Sequence, residues 1–228
     1  MKQSYFAQTL NCKVSNLKIL VCVCFLLIHS FSFGAGRYWV SSSPSNWNNK
    51  ANWSATCGGK PGASVPAAID AVVFDDGGIG NCLLDIEVRV MDLELSPSYS
   101  GTLIQISNAI SIAGNATFYG GGFVGGSDDI TIIGKFQLSG TNFISTSGVL
   151  ELKAEAWFGE GQFDNNRGTV RLNKQESFLL TGNNPKFYIL DVAGNEKEYM
   201  WTPVENAPKE SRSYMSDIPQ NPSRTFTH

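Results

Sequence analysis

Histidine is all but missing from this 228-residue chain: His29 lies in an apolar leader-like stretch, His228 is the last residue, and everything between lacks one. The residue most used as a general acid or base, and the commonest metal ligand, is therefore not available to the body of the protein. Basic residues are also in deficit, with a net charge of −3 and a sequence pI near 5.4. That balance argues against a nucleic-acid or anionic-membrane surface. Nor does the body carry apolar residues three and four apart, the spacing a packed helix needs. The strongly apolar run at residues 19–28 is ten residues long, too short to span a bilayer comfortably.

Residues 1–36 read as a secretory signal. Lys2, Lys13 and Lys18 precede the apolar run, and the small residues Ser32, Gly34, Ala35 and Gly36 follow it, which is the charged, apolar and cleavage order of an export peptide. An uncleaved anchor running on to Phe33 is the alternative. Lipid attachment is disfavoured, because neither Cys22 nor Cys24 is preceded by the small residues it requires. Removing a segment with three lysines and no acid takes the net charge from −3 to −6. It also takes Cys12, Cys22 and Cys24, leaving Cys57 and Cys82. Two cysteines in an exported chain suggest a disulfide, which on the chain-entropy model would stabilise by roughly 3 to 4 kcal/mol. Free thiols or metal ligands are the rival reading. With no histidine to join them, no metal and no cofactor is expected.

What the sequence has in abundance is repetition. From residue 110 to residue 194, rows of twenty align without insertion or deletion. One column holds Ile110, Ile130, Leu150, Val170 and Leu190; another holds Ile112, Ile132, Leu152, Leu172 and Val192. Phe118, Leu138, Phe158 and Phe178 make a third, and Leu103, Phe123, Phe143 and Phe163 a fourth. Within each row, segments such as Ile110-Ser-Ile112 and Leu150-Glu-Leu152 alternate apolar with polar, the two-residue period of a strand. Twenty residues hold about three short strands and three turns, one coil of a parallel β-helix, and crossover chirality makes the expected coil right-handed. The expected fold is thus an all-β, right-handed parallel β-helix of about 20 residues per coil.

Stacking places residues one coil apart in register. The outward column Ser111, Thr131, Glu151, Arg171 and Asp191 then sets acid, base and acid on adjacent coils, where opposite charges attract. Gly114, Gly134 and Gly194 recur at one corner and Gly148 and Gly168 at another, where a β-carbon would meet the neighbouring coil. The row from Val170 fits least, with Lys174, Glu176 and Asn183 breaking their columns, so the solenoid is expected to loosen there. Earlier, Asp92 falls in the column that Ile112 leads, which implies a one-residue shift in an early coil.

Residues 37–76 form a region of their own, with Trp39, Trp47 and Trp53 spaced among Ser, Asn and Pro. These tryptophans are the candidate ligand-binding residues, as a platform for sugar rings. A lid over the first coil suits them better, since a solenoid end exposes apolar cross-section and unpaired edges. Residues 77–194 are the expected β-helix, with an irregular start. Residues 195–228, holding Pro203, Pro208, Pro219 and Pro222, read as a disordered tail, with Met200 and Trp201 folding back as a cap in the alternative.

Several segments carry a resemblance: Cys57-Gly-Gly, Val65-Pro66, Asp70-Ala-Val-Val-Phe74 and Asn81-Cys82 after Trp47 and Trp53, then Tyr99-Ser-Gly-Thr-Leu103, the stretch from Gly161 to Val170, and Phe187-Tyr-Ile-Leu-Asp-Val192. Together they look like the repeats of secreted bacterial β-helical surface proteins of adhesin-like and autotransporter-passenger-like type, over residues 38–194. The resemblance implies extracellular display or adhesion and transfers no catalytic residue.

The expected function is a non-enzymatic secreted or cell-surface module. The alternative is a carbohydrate-binding or polysaccharide-degrading β-helix protein. Surface glycans or another surface protein are the expected partners, and end-to-end self-association is a further expectation. No nucleic-acid partner is expected, and no membrane span once the signal is removed. Gly120, Gly122 and Gly125 spell a dinucleotide loop, but no helix follows them to receive a phosphate. Asp75-Asp76 and Asp128-Asp129 read as solvated turn formers rather than calcium ligands, which need six or more oxygens.

Overall fold

Short strands with one face buried account for nearly all of the chain's order. In the computed structural model, which describes residues 34–173, 179–182, 185–193, 200–203 and 226–227, most strands between Ala71 and Leu172 alternate buried with half-exposed residues. Ile110–Ile112, Ala116–Phe118 and Ile130–Ile132 all bury their first and third side chains and turn the second outward. Each coil contributes three such strands, one to each wall of a three-sided solenoid of about six turns. Among the described residues the single helical element is a one-turn 3-10 helix, Lys50–Asn52.

Parallel pairing fixes the register wherever the twenty-residue repeat holds. On the third wall Ile110 faces Ile130, which faces Leu150, then Val170, then Leu190. On the second wall Leu103, Phe123, Phe143 and Phe163 line up in the same way. Phe123 and Phe143 stack at 4.6 Å with their planes 13° apart, and Phe163 continues the pile at 6.0 Å. Phe118 and Phe158 on the first wall meet these rings edge-on, at 4.9 Å from Phe143 and 5.0 Å from Phe163. Each buried aliphatic or aromatic side chain contributes roughly 1.5–3 kcal/mol, and each aromatic pair about 0.5–1.5 kcal/mol more. A continuous core therefore offsets the chain entropy that one isolated coil could not.

The corners obey the same repeat. A β-carbon on Gly134 would run into the Gly114 carbonyl, and one on Gly168 into the carbonyls of Thr146 and Gly148. Gly121 turns the chain between the first and second walls at φ +61°, a left-handed conformation that disfavours other residues. Gly194 and Phe178 lie outside the described residues, as do Lys174, Glu176 and Asn183.

The structure amends the expected register at both ends. The early shift is larger than one residue: Val88 faces Ile110 and Leu93 faces Ala116, two and three residues beyond the period, while Cys82 faces Leu103, one beyond it. Late in the chain, Ala156 faces Leu180, four residues beyond the period. Phe187 then takes the ring position above Phe163, at 5.9 Å. Because Val170 still faces Leu190, the extra length is absorbed within one lap.

Residues 37–76 cover the start of the solenoid from within its walls. Gly36–Trp39 is a rung of the first wall, parallel to Ala71–Phe74, and Ser45–Asn46 is a rung of the second, parallel to Cys82–Leu84. Trp53–Ser54 runs antiparallel to Gly36–Trp39 and forms the outermost strand of the first wall. Nor is 195–228 wholly without strands. Met200–Pro203 adds a parallel rung against Leu179–Gly182, and Phe226–Thr227 pairs antiparallel with Ile189 and Leu190 at the edge of the third wall.

Candidate functional surface

The three tryptophans named as candidate ligand-binding residues all point inward. Trp39, Trp47 and Trp53 are 0%, 1% and 0% exposed, so none offers a ring face to a ligand, and the platform reading is corrected to a packing role. Trp53 meets Trp39 at 5.2 Å and Trp47 at 4.7 Å, both edge-on, with Phe74 beneath. Two of the indoles find acceptors within the fold: Trp53 Nε1 donates to the Trp47 carbonyl at 2.8 Å and Trp39 Nε1 to the Gly80 carbonyl at 2.9 Å. Tyr99 Oη donates to the same Gly80 carbonyl at 3.0 Å, and burial pushes its phenol well above the ordinary range.

The expected disulfide is also corrected. Cys57 and Cys82 are both free thiols. Cys82 is fully buried in a second-wall strand, facing the core, while Cys57 lies exposed on a turn. One thiol is inside the prism and the other on its surface. Burial holds the Cys82 thiol far up. The hydrogen bond to Asp75, then the charge of that carboxylate, raises Cys57.

Folding brings Asp76 to the same place. One donor atom each from Cys57, Asp75 and Asp76 lie within 4.8 Å of one another. These are the residues that could hold a metal ion, although Asp75 Oδ1 already accepts the Gly77 N–H at 2.8 Å. Cys57 and the two acids lie eighteen and nineteen residues apart in the sequence, and only the glycine-rich turns flanking both, Gly58-Gly59 and Gly77-Gly78, point to their packing together.

The outward faces of the walls differ in chemistry. The third is charged and internally neutralised. Arg89, Ser111, Thr131, Glu151, Arg171 and Asp191 form its column, and Arg171 Nε donates to Asp191 Oδ2 at 2.7 Å. Glu151 bonds to Lys153 at 3.2 Å and to Asn173 at 2.9 Å. Partial burial pulls the Glu151 carboxyl upward, but Asn173, Lys153 and Arg171 outweigh it and hold the group below its ordinary value. The first wall is mixed, with Tyr38, Val73, Glu94, Thr117, Gln137 and Trp157 in its column and a Lys135–Glu155 pair at 2.8 Å beside it.

The second wall is nearly free of charge. Its outward column runs Asn46, Leu83, Ile104, Val124, Ile144 and Asp164. Beside it runs a small polar column of Thr102, Gly122, Asn142 and Gln162. Neither column holds a lysine or arginine, and Asp164 is the one acid, at the end. Leu83, Ile104, Val124 and Ile144 are each half-buried, so four aliphatic side chains line up on the outside of a water-facing sheet. At about 4.8 Å per rung the six strands make a strip about 24 Å long, and at about 3.3 Å per residue about 10 Å wide.

Among the described residues no acid–base pair converges on a cleft. Glu151 and Asp164 sit on different walls. A cleft of about 270 Å³ near the late bulge is lined by Phe158, Gly159, Gly161, Gln162, Phe163, Pro185 and Lys186, none of them an acid. Gly120, Gly121 and Gly122 belong to a solenoid corner and a strand rather than to a phosphate loop. The fold and its surfaces define a three-walled β-solenoid with one flank nearly free of charge. Comparison with protein-family models, curated proteins and solved structures finds no match.

Proposed function

We propose that this protein is an exported, non-catalytic β-solenoid of the adhesin-like kind that presents its second wall to a neutral surface glycan. The observation that carries this reading is the aliphatic column beside the amide and hydroxyl column on an otherwise uncharged flank. Apolar side chains aligned along a water-facing flank, rather than scattered singly, offer a surface for a partner. Lack of charge selects against acidic polysaccharides and nucleic acid, and against partners steered by opposite charge.

Size supports a narrow partner. A strip of about 24 by 10 Å covers about 240 Å², well short of the roughly 800 Å² per partner in a standard protein interface. A polysaccharide chain lying along the solenoid axis fits that width, with its C–H faces on Leu83, Ile104, Val124 and Ile144 and its hydroxyls toward Thr102, Asn142 and Gln162. The resemblance to secreted bacterial repeat proteins agrees with such a role.

A glycan array probed with wild type, Ile104→Lys, Val124→Lys and, as control, Thr131→Lys on the third wall tests it. Binding to a neutral glycan should fall by about tenfold or more, equivalent to 1.4 kcal/mol, in the first two variants alone, with unchanged melting temperatures. Equal binding by all four removes the second wall from the function. Turnover of any glycan by the purified wild type would restore the polysaccharide-degrading reading.

A further inference from the structure

The solenoid begins at a buried carboxylate. Asp70 is 4% exposed. Its Oδ1 accepts the backbone N–H of Ala35 at 2.9 Å, and its Oδ2 accepts the N–H of Ala67 at 2.9 Å. Arg37 stands 3.6 Å from Oδ2, but its guanidinium is engaged by Ser64, with hydrogen bonds at 2.8 and 3.1 Å. A buried carboxylate whose nearest cation is shared in this way is costly, because a buried charge requires a close opposite charge or several hydrogen bonds. Of the two backbone nitrogens at 2.9 Å from the carboxylate, that of Ala35 is the one a cut in the chain could turn into a cation.

Ala35 is also where the compact body of the chain starts, and it follows the small-x-small sequence Ser32-Phe33-Gly34 that export peptidases cleave after. Gly34 and Ala35 are both exposed. We propose that the Gly34–Ala35 bond is the processing site of the exported chain, and that its cleavage seats the new α-ammonium of Ala35 on Asp70. The inference rests on the export reading. Hydrolysis adds water across the peptide bond: the hydroxyl goes to the Gly34 carbonyl carbon, which departs with the leader as a carboxylate. The Ala35 nitrogen becomes an ammonium. A neutral donor at 2.9 Å is thereby replaced by a cation in the same place.

The structure separates this cut from its neighbours. Cleavage after Ala35 would strip Asp70 Oδ1 of its partner and remove the Ala35 carbonyl that accepts the Ala71 N–H at 3.2 Å. Cleavage after Gly36 would also delete the Gly36 rung opposite Ala71 and the carbonyl that accepts from Arg37 Nη1. The charged and titratable groups around the new terminus are Asp70, Arg37 and Tyr38, whose ring lies against Gly36. An α-amino group has an ordinary pKa near 7.7–8.0, and the adjacent carboxylate raises it in the folded state. The stabilisation is therefore complete below about pH 7.7 and is lost as pH rises through the raised value.

The test has two arms. The full chain is expressed in an exporting bacterial host and the N-terminus of the exported protein is read by mass spectrometry; Ala35 is expected. Export with cleavage at another bond overturns this inference alone, whereas retention with the leader intact overturns the export reading with it. In the second arm, purified chain beginning at Ala35 is melted with and without N-terminal acetylation. Acetylation should lower the melting temperature by about 2–4 °C at pH 6.5, less so as pH rises past 9, and not at all in Asp70→Asn. Equal melting of the free and acetylated wild type at pH 6.5 overturns the pairing, whether or not Asp70→Asn folds.

Discussion

The first lap and the middle laps hold together by different means. Between residues 110 and 172 each coil repeats the last, and stability comes from like on like: Ile over Ile, Phe over Phe, glycine over glycine. Between residues 36 and 99 nothing repeats. There, three tryptophans, Phe74 and Tyr99 fill the prism, and Trp39, Trp53 and Tyr99 each donate to a backbone carbonyl. A middle coil borrows its core from the coils above and below. The first has a neighbour on one side only, so it must supply more apolar volume of its own, which indole rings do.

Truncation of Trp53 should separate the two regimes most clearly. Trp53→Ala leaves a large cavity and orphans the Trp47 carbonyl, so a loss of about 3–5 kcal/mol is expected in denaturant unfolding. Phe143→Leu in the middle stack should cost less, about 1–2 kcal/mol, because leucine keeps most of the side-chain volume and forfeits mainly the ring contacts with Phe123 and Phe163. Equal losses at the two positions would remove the distinction.

Next in size is Thr141→Val. The Thr141 hydroxyl is buried and donates to the Gly120 carbonyl at 2.8 Å, so one acceptor is left unpaired; about 1–3 kcal/mol is expected by the same measurement. The thiols then report on which parts of the first laps open. Cys82 should resist alkylation until the protein unfolds. Cys57 should react slowly for an exposed thiol, because Asp75 disfavours its thiolate, and Asp75→Asn should quicken it severalfold at pH 8.

The smallest effect is on the third wall. Arg171→Ala should cost no more than about 1 kcal/mol, since both partners are partly exposed. Glu151 has its carboxyl held below the ordinary value when folded, so its contribution is present above the ordinary carboxylate range and fades as pH falls through the lowered one. Glu151→Gln should flatten that acid-side slope in a pH series of unfolding curves.

The architecture was legible because the repeat is its own evidence: Ile110, Ile130 and Leu150 name their register by spacing alone. Charge ordering was legible for the same reason, down to the pairing of Arg171 with Asp191. The first lap was not. Gly36 faces Ala71 and Ser45 faces Cys82 across long excursions, and no period leads from one to the other. Three clustered tryptophans suggested exposure or a lid, and only packing shows that they sit inside a rung. Cys57 and Cys82 were paired on count and compartment; which side of a wall each faces depends on backbone alternation that loses its phase in irregular coils. The uncharged second wall was encoded in Leu83, Ile104, Val124 and Ile144, yet these read as further core residues until their buried strand neighbours, Leu103, Phe123 and Phe143, fixed which way they point.

At each end of the solenoid one wall of three finishes on a strand that runs backwards, Trp53–Ser54 at the start and Phe226–Thr227 at the finish. A strand arriving in the direction of the coils would meet either of these only as an antiparallel partner, so the evenly slanted ladder of the walls gives way there to the alternating close and wide spacing of antiparallel pairs.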